Sequence, residues 1–274
     1  MNNKGRLNIA SIQMVSTTSV ERNLDVAEQL VTKAKAAGAE IAVLPEYFCL
    51  MGQSDTDKVK IQEQFGTGPI QNRLQQIARN HQIHLVAGTI PLTSTQPDKV
   101  KNTSLVFDCQ GEVIARYDKI HLFGFKQDQE EYQEANTIEP GSQPTSFEMS
   151  ANGETWKFGI SVCYDLRFPE LYRHIGVVDC HILSAAFTYT TGKSHWEILL
   201  RARAIENQCY VLASAQGGHH ENGRTTWGQS MLIDPWGAIK SELKEGEGFV
   251  IGQLEKSTIN EIRGKLPSLQ HRTL

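Results

Sequence analysis

The sequence predicts an α/β fold built on a mixed β-sheet, or on two sheets packed face to face with helices outside. Three observations carry this expectation. Strand-like and helix-like patterns alternate almost from end to end. Residues 7–42 read as strand, helix, strand, which is a β-α-β unit with parallel pairing. Residues 103–108 and 112–117 flank Cys109-Gln110-Gly111 as an antiparallel hairpin, so both pairing senses occur in one chain. A length of 274 residues suffices for one large core, and no repeat, low-complexity tract or linker divides it. One domain over residues 1–274 is expected.

The elements follow in order. After the first strand, Thr18-Ser19-Val20-Glu21 reads as a capping box. It opens a helix with apolar Leu24, Ala27, Leu30, Val31 and Ala34, closed by Gly38. Ile41-Ala42-Val43-Leu44-Pro45-Glu46 is a strand ending on a carboxylate. Pro69 starts a second helix through Ile70, Leu74, Ile77 and Ala78. Residues 84–90 form a strand and 91–101 a polar surface loop with two prolines. Beyond the hairpin, 128–141 is polar and irregular. Residues 158–162 are a strand, 168–175 a short helix, 180–184 a strand, 193–208 a helix and 209–215 a strand. Residues 217–226 read as a loop, then 229–233 and 249–254 as strands before a short helix and tail.

Composition narrows the function classes. A net charge of −4 argues against a general nucleic-acid binder, which would show a basic surface. No apolar run approaches the about 18 residues needed to span a bilayer, so no membrane partner is expected. The N-terminal stretch has neither the apolar centre nor the cleavage site of a signal peptide, which makes cytoplasmic residence the expectation. Cys49, Cys109, Cys163, Cys180 and Cys209 are odd in number, scattered and free of a C-x-x-C pair. Reduced thiols fit that pattern better than a disulfide framework or a thiolate zinc site.

Three strand ends carry the candidate chemistry. Cys163 closes an apolar strand and the chain breaks away at once, as at a nucleophile elbow. Glu46 and Lys119 end strands of their own. Each has an ordinary reading when taken singly: a small buried hydrophobe, a solvated turn carboxylate, a surface lysine. Together, a thiol, a carboxylate and an ammonium at strand ends make an amide-cleaving site. The base for Cys163 is either a histidine, with His121 and His195 as candidates, or Glu46. In the second case Lys119 and the backbone N–H of Tyr164 stabilise the oxyanion, and Lys119 also raises the thiolate fraction of Cys163.

Leu44-Pro45-Glu46, Tyr117-Asp118-Lys119-Ile120-His121-Leu122-Phe123 and Ser161-Val162-Cys163-Tyr164-Asp165-Leu166-Arg167-Phe168-Pro169-Glu170 resemble the three signatures of the nitrilase superfamily of carbon–nitrogen hydrolases, in the family's order. The resemblance implies a Glu46-Lys119-Cys163 triad on a four-layer α-β-β-α sandwich with two mixed sheets. It also implies no metal or organic cofactor, and a homodimer. Glu134 matches the position of the family's second glutamate, which orients the lysine and the water. The segments around Phe187-Thr188, from His195 to Glu206, and Asp234-Pro235-Trp236-Gly237 resemble the Nit branch. Within it, the stretch around His195 is more similar to the deaminated glutathione amidase type than to the ω-amidase type. The implied reaction is thioester-mediated cleavage of a small carboxylate-bearing amide, with deaminated glutathione first and 2-oxoglutaramate second. The chain departs from the pattern at Phe123-Gly124, where relatives carry an acidic residue, at Ser184, where a proline is common, and in the short segment 173–179.

Other signals have structural readings. His219-His220 lacks the carboxylates that would complete a metal set. Arg201 and Arg203 sit on an amphipathic helix as ion-pair formers, and Trp196 and Trp227 read as core or interface residues. Arg167 either binds a substrate carboxylate bidentately or braces the elbow against Glu170 or Asp165. Tyr164, Arg167, Phe187 and Thr188 are therefore the candidate oxyanion and substrate-binding residues.

Overall fold

A computed structural model describes residues 3–127 and 130–273. Strand β1 (Arg6–Gln13) is followed by helix α1 (Val20–Ala36) and by β2 (Ile41–Val43), which pairs parallel to β1. Ser19, one residue later than the capping pattern suggests, accepts the hydrogen bond from the Arg22 N–H that caps α1. After α2 (Asp57–Lys60), Pro69 opens α3 (Pro69–His81), which ends at Gln82 in the left-handed region. β3 (His84–Val86), β4 (Ile90–Thr93), β5 (Val100–Phe107) and β6 (Val113–Asp118) complete the first half.

A short hairpin, β7 (Gly124–Gln127) and β8 (Glu130–Gln133), leads to β9 (Thr145–Ala151) and β10 (Glu154–Val162). Then come α4 (Pro169–Ile175), β11 (Cys180–Ala185), α5 (Tyr189–Asn207) and β12 (Tyr210–Ala215). A second hairpin, β13 (Gly217–His219) and β14 (Thr225–Trp227), precedes β15 (Ser230–Ile233), β16 (Ile239–Leu243), β17 (Gly248–Glu255) and α6 (Lys256–Lys265).

The strands form two mixed sheets. One runs β17-β1-β2-β3-β5-β4, with β6 also on β5; the other runs β16-β15-β12-β11-β10-β9. Period-two alternation along β1 explains the layering. Leu7 and Ile9 join the apolar cluster that contains Trp156, Phe158 and Leu212 of the second sheet. Ala10 and Ile12 instead pack with Leu24 and Leu30 of α1 and Leu74 and Ile77 of α3. On the far side, α5 packs on β12 and β15, with α4 beside it. The result is the expected α-β-β-α order. Serines stitch the sheets together: Ser11 Oγ donates to the Ala213 carbonyl at 2.7 Å, Ser214 Oγ to that of Val43 at 3.0 Å, and Ser184 Oγ to that of Leu44 at 2.8 Å.

Several expectations need correction. The strand expected over 84–90 breaks at 87–89. Gly88 has φ +43°, and a side chain there would run into the Pro45 carbonyl oxygen. The break lets the Glu46 turn pass. Residues 91–101 are less of a loop than expected. Pro91 lies in β4, the outermost strand of its path, where a missing N–H is tolerated. Residues 217–226 form a hairpin around the turn, and 128–141 begins in one. Residues 128 and 129 of that stretch lie outside those described, as do Met1, Asn2 and Leu274. β9 and β16 are further strands, unexpected from the sequence; they pair antiparallel with β10 and β15 across the turns Asn152-Gly153 and Asp234-Pro235-Trp236-Gly237. α5 begins at Tyr189 rather than 193, because the Thr188 side chain caps it by accepting from the Thr191 N–H.

Candidate active site

Cys163 follows β10 directly and has φ +50°, a strained conformation for a residue with a side chain. Asp165 holds the turn. Its carboxylate is fully buried and accepts from the Val162 N–H at 2.8 Å, the Tyr117 hydroxyl at 2.7 Å and the His121 N–H at 3.1 Å. His121 Nδ1 lies 2.7 Å from the same carboxylate, with its ring stacked on Phe168. From the other side, Arg203 Nε and Nη2 donate to the Leu166 carbonyl at 3.1 and 2.9 Å. The strain at Cys163 is thus held by contacts from β6, β10 and α5.

Glu46 and Lys119 are both inaccessible to solvent, and Lys119 Nζ donates to Glu46 Oε1 at 2.9 Å. It also donates to both oxygens of Glu134, at 3.0 and 2.7 Å. Every partner of the cluster is fixed in turn. Asn102 Nδ2 donates to Glu46 Oε1 at 2.9 Å, and the Ala186 N–H to Glu46 Oε2 at 3.0 Å. Glu134 accepts from the Tyr47 hydroxyl at 2.8 Å and the Phe123 N–H at 2.7 Å. The Lys119 backbone is anchored too: its N–H donates to the Asn102 carbonyl at 3.0 Å and its carbonyl accepts from Gly141 at 2.8 Å.

Burial and charge set the protonation states. Burial pushes the Glu46 carboxyl above the usual carboxylate range, against the pull of Lys119. Burial also opposes charge on Glu134, but the Lys119 charge and the hydrogen bonds from Lys119, Phe123 and Tyr47 outweigh it and hold Glu134 below that range. Lys119 likewise overcomes its own burial through the charges of Glu134 and Glu46, and stays well above the ordinary lysine range. Burial and the Glu46 charge push the Cys163 thiol well up, and Lys119 pulls it only partly back. Lys119 therefore works toward the thiolate, but burial and the Glu46 charge outweigh it and favour the thiol.

Cys163 sits where two clefts meet. The wider, of about 610 Å³ and open to solvent, is lined by Glu46, Tyr47, Lys58, Glu134 and Arg224. The narrower, of about 210 Å³, is lined by Tyr164, Arg167, Phe187 and Thr191. Phe123, Ala186 and Thr188 face both. All eight candidate residues therefore converge, as network or as lining. The histidine alternative does not: His121 faces Asp165, and His195 Nδ1 lies 3.3 Å from the Arg167 guanidinium. Arg167 does not brace Asp165, whose oxygens are taken; its guanidinium lies over the Tyr164 and Phe187 rings at 5.8 and 5.6 Å.

The remaining signals resolve as structure. His220 Nδ1 lies 2.9 Å from the Ser16 carbonyl and Nε2 2.8 Å from Thr226 Oγ1. His219 Nδ1 lies 2.8 Å from Thr225 Oγ1. Trp196 is buried and donates to the Gln229 carbonyl at 2.8 Å. Arg201 and Arg203 pair with Glu197 at 3.1 Å and Glu206 at 2.8 Å. Sequence reasoning missed Asn102, Tyr47, the anchoring role of Asp165, Lys58 and Arg224. A buried asparagine beside an apolar run was a usable signal for the first; the cleft cations carry no local signal.

The family of carbon-nitrogen hydrolases matches residues 8–264. The chain belongs to that family. Among curated relatives of this hydrolase, a deaminated glutathione amidase from Synechocystis sp. is 39% identical over 268 residues, covering 96% of this chain and 97% of the relative. Saccharomyces cerevisiae Nit3, a member of branch 10 of the nitrilase superfamily, superposes with a TM-score of 0.85 at 28% identity, covering 98% and 97% of the two chains. A glutamate-to-glutamine variant of the amidase from Nesterenkonia sp. AN1 superposes with a TM-score of 0.80 at 26% identity, covering 100% of this chain and 99% of that one. Its structure shows covalent addition of the acetamide moiety of fluoroacetamide at the active-site cysteine. No helix of this carbon-nitrogen hydrolase, among the described residues, is long and apolar enough to cross a membrane.

Proposed function

We propose that this carbon-nitrogen hydrolase is an amidase that cleaves deaminated glutathione to 2-oxoglutarate and Cys-Gly through a thioester on Cys163. Glu46 takes the thiol proton as sulfur attacks the amide carbon. The Lys119 ammonium and the Tyr164 N–H receive the developing oxyanion. The C–N bond breaks as Glu46 returns the proton to the leaving amine. Glu46 then takes a proton from water, which attacks the thioester; the C–S bond breaks and the thiol is restored. Glu134 holds Lys119 in place. Arg167 takes the carboxylate of the 2-oxo acid in the narrow cleft, with Phe187 and Thr188 as its walls. The protein acts as a single domain, within a cytoplasmic homodimer, on a small-molecule amide and with no cofactor.

One observation carries the reading: a buried lysine bonded to two carboxylates at the foot of a strained cysteine. A neutral thiol beside a buried base fits proton transfer concerted with attack. The covalent acetamide adduct of the Nesterenkonia amidase and the activity named for the Synechocystis relative support the chemistry and the substrate.

The test is 2-oxoglutarate release from deaminated glutathione and from 2-oxoglutaramate, with Cys163→Ala alongside. Preference for deaminated glutathione, lost by about 10⁴-fold or more in Cys163→Ala, is expected. Preference for 2-oxoglutaramate makes the protein an ω-amidase instead. Full activity of Cys163→Ala overturns the triad.

A further inference from the structure

Resting on the amidase reading, we infer that the wide cleft ends in a second anion subsite, formed by Lys58 and Arg224, that takes the terminal carboxylate of a peptidic leaving group. The narrow cleft already holds one cation, Arg167, on the opposite arm from these two. Which arm faces which half of the substrate follows from the proton. Glu46 must hand it to the departing nitrogen, and Glu46 lines the wide arm only. The acyl half therefore enters the narrow arm and the amine half leaves along the wide one.

That arm carries unbalanced positive charge at its far end. Arg224 pairs with Asp55 Oδ1 at 2.6 Å, which leaves Lys58 Nζ 4.0 Å from the same oxygen. Lys58 is nevertheless well buried, with its side chain 16% exposed, and its one close hydrogen bond among the described residues is to Thr137 Oγ1 at 3.2 Å. A buried ammonium with so distant a counter-charge favours an incoming anion. Both cations are also held against aromatic faces, Lys58 over Tyr47 at 5.7 Å and Arg224 over Tyr132 at 5.4 Å. These contacts aim them without neutralising them. Past Tyr47 the arm continues into a groove of about 290 Å³ lined by the same two cations. There is thus space for a dipeptide, which extends roughly 7 Å.

The subsite makes this a hydrolase of substrates with a carboxylate at each end. Ammonia as leaving group gains nothing from Lys58 and Arg224; Cys-Gly does. The experiment compares kcat/KM of the intact enzyme for deaminated glutathione and for the same compound with its glycine carboxylate converted to a carboxamide. The acid is expected to win by about tenfold or more, the effect of a charge-assisted contact. In Arg224→Gln and in Lys58→Gln that ratio falls toward one. A purely structural role would depress both substrates together and leave the ratio intact, which overturns the subsite. A wild-type ratio near one overturns it without any variant, while the amidase reading stands. Failure to cleave deaminated glutathione at all removes the reading and the subsite together.

Discussion

The floor of the cleft and its mouth are built on opposite principles. At the floor, Lys119 and Glu46 are sealed from water, Glu134 is mostly covered, and Lys119 Nζ, Glu46 Oε1 and both Glu134 oxygens each have two or more partners. At the mouth, Arg167 rests on ring faces and against His195, and Arg224 shares a half-exposed aspartate. Buried charge survives only when fully compensated, so the floor is rigid and intolerant. Cations near water give up little when they change partners, so the mouth can exchange a protein carboxylate for one on a ligand. On the proposed function, chemistry falls to the fully compensated part and recognition to the part nearer water.

Substitutions can break this contrast, and the largest effect belongs to Lys119. Lys119→Met strands the buried Glu46 carboxylate and the mostly covered Glu134, and is expected to cost about 3–5 kcal/mol of stability in urea denaturation together with about 10³-fold in kcat. A variant of wild-type stability would show that the floor is not a compensated unit.

Asp165→Asn comes next. The amide offers a single acceptor where the Tyr117 hydroxyl, the Val162 and His121 N–H groups and the His121 ring now converge. A loss of about 1–3 kcal/mol and of roughly 10²-fold in kcat is expected, with KM little changed. If KM rises instead, the elbow belongs with recognition.

Glu134→Gln sharpens the electrostatic side. The Glu134 charge helps to push the Glu46 carboxyl up, so removing it lets Glu46 ionise at lower pH. Glu46 works as a base only when ionised. In the wild type kcat/KM therefore falls as pH drops through a value above the ordinary carboxylate range of about 4.3. In Glu134→Gln this acidic limb moves down in pH while the plateau falls by about 10²-fold. A limb that stays in place detaches Glu134 from Glu46.

The smallest expected effect is at the mouth. Arg167→Lys keeps the charge and loses the fork, so KM rises about tenfold with kcat and melting temperature nearly unchanged. A large stability loss there would erase the distinction between floor and mouth.

Three regions show how far local reading reaches. Cys163, Glu46 and Lys119 were legible because each ends an apolar strand, and strand ends announce themselves by period and by the turn that follows. Their flanking residues carried the family and, through it, Glu134 and the four-layer order. β9 and β16 were missed despite the turns that join them to β10 and β15, because each is an edge strand with mostly exposed or half-buried residues and too few apolar positions to stand out. Asn102 was likewise hidden at the margin of an expected loop, although its side chain completes the Glu46 shell.

The sequence by itself determined which side chains could react, where the chain turns beside them and to which family they belong, because these depend on residues within a few positions of one another. Only the tertiary structure decided the protonation states and the shape of the cleft. Glu46 and Lys119 lie 73 positions apart, and Ala186 reaches Glu46 from 140 positions away. The direction in which each group is shifted depends on burial and on those distant charges. The same holds for Lys58 and Arg224: they are unremarkable in their own segments and become a cationic end to the cleft only when helix α2 and the β13–β14 turn fold against each other.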